Sequence, residues 1–415
     1  MARIPTTEMS LDEQVEHLTA GADMGDESLL EAMKAELRKL LEKSDRPLRI
    51  YLGLDPTSPH VHLGHAVVMT ILQRFQELGH QVVFLVGDFT ARIGDPTGRS
   101  KTRPPLTEEE IAFNATTYTD QAFRLLDEEK TEVRHNSEWL GKLDFATLLT
   151  DCAGLTLAQL LIRDDFRQRH EAGTPIHLHE FMYALAQGID ACELETDVQI
   201  GGRDQLFNIL AGRDVMRHRE LRPQVCLTFP LLVGTDGKQK MSKSYGNDIG
   251  VTLDAADMYG KVMSIPDEAM ADYYRLASGL PPTEAAAACA ALESGELHPR
   301  EGKAKLARCV VERWHDADAA AAAEESFLSQ FRDKGLPTDV PELVVPTDAA
   351  TVLDLVAAGG GSRSDAKRLV QGGGVSLDGE KLADWRAELS TLGDLDGRVL
   401  KLGKRRVHQL KVDSN

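Results

Sequence analysis

Apolar runs and amphipathic stretches alternate along the first part of the chain. Leu48-Arg49-Ile50-Tyr51-Leu52-Gly53-Leu54 predicts a strand, stopped by Asp55-Pro56-Thr57-Ser58-Pro59. Leu63, Val67, Thr70, Ile71 and Phe75 then recur at helical spacing, and Val82-Val83-Phe84-Leu85-Val86 is wholly apolar. Continuous apolar strands separated by helices predict a parallel sheet covered on both faces. The pattern resumes at Thr196–Ile200, a short strand ending in Gly201-Gly202, followed by a helix from about Asp204 to Met216 and a strand candidate from Val225 to Val233. Residues of about 110 to 195 read mostly as helices, so the expected architecture is a parallel α/β sheet split by a helical insertion. Ahead of it, an acidic stretch reaching about Lys43 is helical near Ser28–Leu41.

Beyond residue 250 the pattern changes. Residues 251–334 are Ala-rich and helical, and prolines punctuate a stretch read as a linker over 335–349. Residues 350–415 predict a small α+β domain: helices near Ala350–Ala358 and Ser362–Gln371, then short strands between Gly-rich turns. The catalytic domain is thus expected over 1–250, with its insertion at about 110–195.

Composition narrows the class. Of 415 residues 42% are apolar, enough for several cores and too many for disorder. No apolar run approaches the length of a membrane-spanning helix, and Met1–Ser10 lacks a signal-peptide pattern. Cys152, Cys192, Cys226, Cys289 and Cys309 are far apart and suit neither a disulfide framework nor a zinc site, which points to reduced thiols and a cytoplasmic location. The formal net charge of -19 argues against indiscriminate coating by nucleic acid. The charge is uneven, however: residues 350–415 hold 11 Lys and Arg against 9 Asp and Glu.

Two loops carry candidate chemistry. His62-Leu63-Gly64-His65 opens the helix after the first strand, where unpaired N–H groups and the helix dipole suit a phosphate. Gly64 admits close approach, and imidazoles at i and i+3 share a helical face. Two histidines near a helix start are often incidental. Lys240-Met241-Ser242-Lys243-Ser244 follows the last strand of the same split sheet, with two lysines flanking small hydroxyl residues. Each motif alone fits an ordinary solvated turn; together they specify phosphate chemistry. In this combination the chain resembles the class I aminoacyl-tRNA synthetases, with Leu63 in place of the usual isoleucine.

Within that class it resembles the bacterial tyrosyl-tRNA synthetase family over most of its length. The similarity lies in Tyr51–Thr57, Gly94-Asp95-Pro96-Thr97-Gly98, the helix bearing Tyr183, Gln187 and Asp190, Gln199–Gly202, Asp204-Gln205 and the terminal domain. Tyr183, Gln187 and Asp190 share one helix face, beside an apolar stripe of Leu178, Met182, Leu185 and Ile189. The polar stripe could equally face water. The relatives specific for tryptophan share the phosphate loops but not the Tyr51 and Asp190 pair.

The resemblance implies a Rossmann-like catalytic sheet, a tyrosine–tRNA ligase activity, and L-tyrosine, ATP and tRNA(Tyr) as partners. It implies that Asp190 and Tyr51 meet the phenolic hydroxyl of tyrosine, that Asp95, Tyr183 and Gln187 hold its ammonium, and that Gln205 contacts its carboxyl end. Gly53, Asp55, Gly64, His65, Gly202 and Asp204 would line the nucleotide site. Thr57 would bond the pyrophosphate end. His62, Lys240, Lys243, Arg99 and Arg103 would supply positive charge to the phosphates. Mg2+ would come with ATP, without a metal held by the protein. The terminal domain resembles an S4-type RNA-binding module, with Arg363, Lys367, Arg368, Lys404, Arg405 and Arg406 as tRNA contacts and Trp385 as a packing residue. The family also implies a homodimer built through the insertion. Arg99 stands where the better-known bacterial form has lysine, and Val68 where some members have a ribose-binding threonine. Two other classes share parts of this pattern: an RNA-independent nucleotidyltransferase of the superfamily, and an RNA-binding protein with a dead catalytic domain. The Tyr51/Asp190 pair and terminal domain oppose the first, and the presence of His62, His65 and Lys243 opposes the second.

Overall fold

A computed structural model describes residues 9–97, 106–332, 341–347, 349–403 and 406–412. The chain forms two compact units, Met1–Ala323 and Glu324–Asn415. The division falls inside the helix Ala317–Arg332, earlier than the end of the helical segment expected from the sequence.

The first unit is organised by a five-stranded parallel sheet. Its strands are β1 (Arg49–Leu54), β2 (Gln81–Val86), β3 (Thr131–His135), β4 (Val198–Gly202) and β5 (Val225–Phe229). They lie in the order β3-β2-β1-β4-β5. From β1 the chain therefore builds outward in one direction through β2 and β3, and in the other through β4 and β5. The crevice between β1 and β4 is the switch point where ligands of open α/β sheets bind, beyond the carboxyl ends of the strands. The interior strands are apolar because helices cover both faces: Ile50, Tyr51 and Leu52 of β1 and Val82–Val86 of β2 are all buried. The helices Leu178–Leu194 and Leu206–His218 pack on each other, with Gly188 close to the backbone of Gly212 and to Val215.

Three expectations change here. Residues 131–135, read within a mostly helical stretch, are the edge strand β3, so the sheet continues into the region assigned to the insertion. Only Val133 is apolar in the middle of β3. Its flanking Glu132 and Arg134 pair with Arg49 and Glu138, a pattern with no apolar period to recognise. The last strand ends at Phe229 rather than Val233, because Pro230 has no N–H to give the ladder. Leu178, placed in the apolar stripe of its helix, is exposed.

The second unit holds a sheet of β6 (Glu342–Val344), β7 (Val375–Leu377), β8 (Glu380–Lys381), β9 (Val399–Leu402) and β10 (Arg406–Lys411), in the order β6-β10-β9-β7-β8. Its helices Val352–Ala358 and Arg363–Gln371 start at the capping boxes Thr351/Asp354 and Ser362/Asp365. Val352, Leu355, Val370, Leu400 and Leu410 form the core. The stretch read as a linker is structured where it is described. β6 pairs in parallel with β10, and Val345 joins the core. Its prolines flank a short edge strand, where a missing N–H costs little.

Candidate active site

The carboxyl ends of β1 and β4 bring most of the candidate residues of the first unit together. Gly53 is the exposed residue of β1, following the buried Ile50, Tyr51 and Leu52, and leaves room beside the backbone. One step on, the Asp55 carboxylate accepts hydrogen bonds from the Thr90 hydroxyl (2.7 Å) and the Tyr183 hydroxyl (3.0 Å). A Cβ on Gly87 would lie 2.2 Å from Asp55 Oδ1, so glycine is required there for the carboxylate to take this position. Burial, then the charges of Asp55 and Asp95, push the Tyr183 phenol well above its ordinary range. Tyr183 is thus a neutral hydroxyl that orients Asp55. Thr57 is half-buried beside this turn, its N–H on the Asp55 carbonyl (2.8 Å).

Asp190 is 2% exposed. Its two oxygens accept from the Trp139 indole N–H (2.8 Å) and the Asn136 amide (3.2 Å). Burial raises its pKa to about 7, and these donors oppose the rise without cancelling it. Tyr51 is fully buried, and its hydroxyl has no hydrogen-bond partner among the described residues. Burial and then the Asp190 charge push this phenol far up as well. A buried hydroxyl and a buried carboxylate acting on it are together complementary to a ligand hydroxyl, which can accept from one and donate to the other. Gln187 is half-buried on the same helix face.

Asp95, in the loop after the short helix Thr90–Ile93, accepts from Gln205 Nε2 (2.8 Å), from the Thr97 hydroxyl (2.5 Å) and from the Thr97 N–H (2.9 Å). Gly202 ends β4 with no space for a Cβ, which would meet Asp204 Oδ1 at 2.8 Å. Asp204 accepts from Lys240 Nζ at 3.1 Å, which ties the second phosphate loop to the end of β4.

At the first phosphate loop the His62 and His65 rings stack, with centroids 3.9 Å apart. The His62 N–H bonds His65 Nδ1 (3.3 Å), and a Cβ on Gly64 would crowd the His62 ring at 3.0 Å. Burial lowers the His62 pKa to about 4 and drives that of His65 well below its ordinary value, aided by Lys240. This corrects one expectation: His62 is neutral at pH 7 and offers a hydrogen-bond donor, not a positive charge. The cause is tertiary burial, which residue spacing does not report. Lys240 and Lys243 are exposed, Lys243 in the turn Lys243–Tyr245. Arg99 and Arg103 lie outside the described residues.

The second loop is held from behind. Asn247 is 3% exposed and accepts from the Ser242 N–H (2.8 Å) while donating to Asp236 (2.9 Å). Just beyond it, Ile249 accepts from the Leu63 N–H (2.9 Å) and the Val251 N–H bonds Val61 (3.0 Å). One short segment therefore braces both phosphate loops.

In the second unit Arg363 pairs with Asp354 and Arg368 with Asp365, and Arg406 donates to the carbonyls of Gly359 and Gly360. Lys367 and Arg386 each sit 4.6 Å from the Trp385 ring, whose other contacts are with the small core. Lys404 and Arg405 lie outside the described residues.

Several residues of the site were not singled out from sequence. Asn136 and Trp139 directly follow β3, at the carboxyl end of a strand where ligand residues collect, and a correct reading of β3 would have exposed them. Gly87, Thr90 and Asn247 act through other side chains and leave no motif.

The parallel sheet, the ligand crevice at its switch point and the two braced phosphate loops define a class I aminoacyl-tRNA synthetase catalytic domain. A family model described as tRNA synthetases class I (W and Y) matches residues 43–332. Among curated proteins, the tyrosine–tRNA ligase of Moorella thermoacetica is 48% identical over 382 residues, covering 92% of each chain. That of Desulfotalea psychrophila is 48% identical over 404 residues, covering 96% of this chain and 97% of its own. The solved tyrosyl-tRNA synthetase of Archaeoglobus fulgidus, complexed with L-tyrosine, has a TM-score of 0.60 at 25% identity, covering 76% of this chain and all of that one. The chain belongs to the tyrosine–tRNA ligase family. It activates L-tyrosine with ATP, giving tyrosyl adenylate and pyrophosphate, and transfers tyrosine to the 3′-terminal adenosine of tRNA(Tyr).

An ionised carboxylate only accepts and protonation removes that capacity, so if the tyrosine phenol donates to Asp190, the KM for tyrosine in ATP–pyrophosphate exchange should rise as pH falls through about 7. The slope should approach tenfold per pH unit, with roughly that sensitivity lost in Asp190→Asn. A profile flat down to pH 5 in the wild type contradicts this.

Proposed function

We propose that the roles in this reaction divide between the two sides of the β1–β4 crevice. On one side Tyr51 and Asp190 take the phenolic hydroxyl of tyrosine, Asp190 accepting its proton and Tyr51 bonding the same oxygen. Phenylalanine would leave both groups buried and unpaired, at about 1–3 kcal/mol each. The observation that carries this reading is the orphan Tyr51 hydroxyl beside an Asp190 carboxylate locked by Trp139 and Asn136. Asp95, Tyr183 and Gln187 take the ammonium, and Gln205 the carboxyl end. Tyr183 is a hydrogen-bonding hydroxyl in this role, reaching the ligand from its place on Asp55.

On the other side Gly53, Asp55, Gly64, His65, Gly202 and Asp204 line the nucleotide site. The tyrosine carboxylate attacks the α-phosphorus in line, and no protein nucleophile is needed. The chain's part is to position the reactants and meet the growing negative charge. Neutral His62 donates an N–H to phosphate, Thr57 bonds the pyrophosphate end, and Lys240 and Lys243 bring charge, together with Arg99 and Arg103. The Asp204–Lys240 pair supports this by holding one of these lysines near the nucleotide side. Mg2+ enters as part of the ATP substrate, coordinated by phosphates and water.

The second unit binds tRNA(Tyr) through Arg363, Lys367, Arg368, Lys404, Arg405 and Arg406, a basic surface on an acidic protein. The enzyme works as a homodimer in the cytoplasm. Support for the dimer is the insertion's load of exposed apolar side chains, including Phe145, Leu149, Ile162 and Leu178. Support for the compartment is that all five cysteines are free thiols. No helix of the described residues is long and apolar enough to cross a membrane.

ATP–pyrophosphate exchange measured with each standard amino acid should be greatest with tyrosine. Asp190→Ala should erase the preference for tyrosine over phenylalanine; an unchanged preference would refute the role given to Asp190. Deleting residues 350–415 should spare the exchange reaction and cripple tRNA charging, and charging that survives at ordinary tRNA concentrations would remove the second unit from RNA recognition.

A further inference from the structure

Arg163 sits between the helices Leu157–Ile162 and Asp164–Glu171 of the insertion, yet it is only 6% exposed. Its guanidinium pairs with Asp165 through Nε (2.8 Å) and Nη2 (2.6 Å), and it stacks over Phe166 (4.9 Å) and Phe207 (5.5 Å). Two of its three remaining N–H groups are bonded, and both lead to the same place. Nη2 donates to the Thr97 hydroxyl (2.9 Å), which donates to Asp95 Oδ1 (2.5 Å). Nη1 donates to Asn208 Oδ1 (2.8 Å), Asn208 Nδ2 donates to Gln205 Oε1 (3.0 Å), and Gln205 Nε2 donates to Asp95 Oδ2 (2.8 Å). The hydrogen bonds close a ring: Arg163, Thr97, Asp95, Gln205, Asn208 and back to Arg163.

The ring has a direction. Arginine can only donate and a carboxylate can only accept, so both arms must run from Arg163 to Asp95. That removes the freedom of the two amides between them. Asn208 must turn its oxygen to the guanidinium, its NH2 then faces Gln205, and Gln205 is left with its own NH2 toward Asp95. Reversing either amide would set donor against donor or oxygen against carboxylate. Hydrogen bonds aligned in one direction also polarise one another in a buried setting. The result is a carboxylate fixed by one side-chain donor on each oxygen, whose remaining lone pairs keep one direction.

We propose that Arg163 is a positioning residue for the amino-acid site: through Thr97 on one arm and Asn208 and Gln205 on the other, it aims the Asp95 carboxylate at the ammonium group of the substrate. This rests on the assignment of Asp95 to that ammonium. The insertion then contributes to substrate recognition from outside the crevice, through a residue that never touches the ligand.

The test is equilibrium binding to the full-length enzyme of three ligands: L-tyrosine, tyramine, which keeps the ammonium, and 4-ethylphenol, which lacks both the ammonium and the carboxyl group given to Gln205. Arg163→Met should weaken L-tyrosine and tyramine by about tenfold and leave 4-ethylphenol within about twofold, the contrast expected of groups in one hydrogen-bond network. Asn208→Leu, which removes the Gln205 arm and a long contact to the Thr97 hydroxyl (3.5 Å) but leaves the Arg163–Thr97 and Arg163–Asp165 bonds intact, should show the same selectivity to a smaller degree, so the proposal stays testable if Arg163→Met does not fold. In an Asp95→Asn background, Arg163→Met should add less than about twofold. Equal weakening of all three ligands by Asn208→Leu would mark a general distortion and overturn the proposal. So would unchanged tyrosine binding in both variants while Asp95→Asn weakens it. If Asp95→Asn itself leaves tyrosine and tyramine unaffected, the ammonium assignment fails and takes the ring's role with it.

Discussion

A carboxylate with no ion-pair partner among the described residues is buried at the end of the sheet, and the selectivity proposed for the site depends on it. Asp190 is buried and its pKa stands near 7. Burying a carboxyl costs free energy that two neutral donors, Trp139 and Asn136, only partly offset. Tyr51 adds a second cost, a buried hydroxyl with no partner within hydrogen-bonding distance among the described residues and only a weak interaction with the Gln224 side chain. In the proposed reading both costs are offset by one chemical group, a ligand hydroxyl that donates to Asp190 and accepts from Tyr51.

The rest of the catalytic unit keeps such groups in register. Parallel strands on either side of the switch point deliver Tyr51, Gly53 and Asp55 from β1 and Gly202, Asp204 and Gln205 from just past β4. Carboxylates recur in this crevice, and three of them accept from neutral donors: Asp55 from Thr90 and Tyr183, Asp95 from Thr97 and Gln205, Asp190 from Trp139 and Asn136; the fourth, Asp204, accepts from Lys240. Cationic charge is concentrated at the second phosphate loop, while the histidines of the first are kept neutral. The two sides of the crevice thus differ in their electrostatics. At the scale of the whole chain, the net charge of -19 coexists with a slightly basic terminal segment.

Much of this was readable in the residues. The unbroken apolar run of β2 and the helix-opening His62–His65 motif announce a parallel sheet with a phosphate loop, because burial on both faces leaves no polar alternation to confuse the pattern. β3 was missed for the opposite reason. An edge strand with Glu132 and Arg134 around a single Val133 satisfies itself with ion pairs rather than burial. Missing it hid Asn136 and Trp139, which follow it. The neutrality of His62 could not be read, since it comes from packing against distant segments. Arg163 lies in Arg163-Asp164-Asp165, which reads as a solvated charged run; only the folded chain turns that arginine inward onto Thr97 and Asn208.

The state of the Asp190 carboxyl can be observed directly. With aspartate labelled at the side-chain carboxyl carbon and Asp190 assigned through Asp190→Asn, a titration followed by NMR should show this group protonating with a midpoint near 7 in the free enzyme. It should stay ionised at pH 7 when tyrosine is bound and not when phenylalanine is added. A midpoint near 4 in the free enzyme, unmoved by either amino acid, would contradict a strained, dry carboxylate as the basis of selectivity.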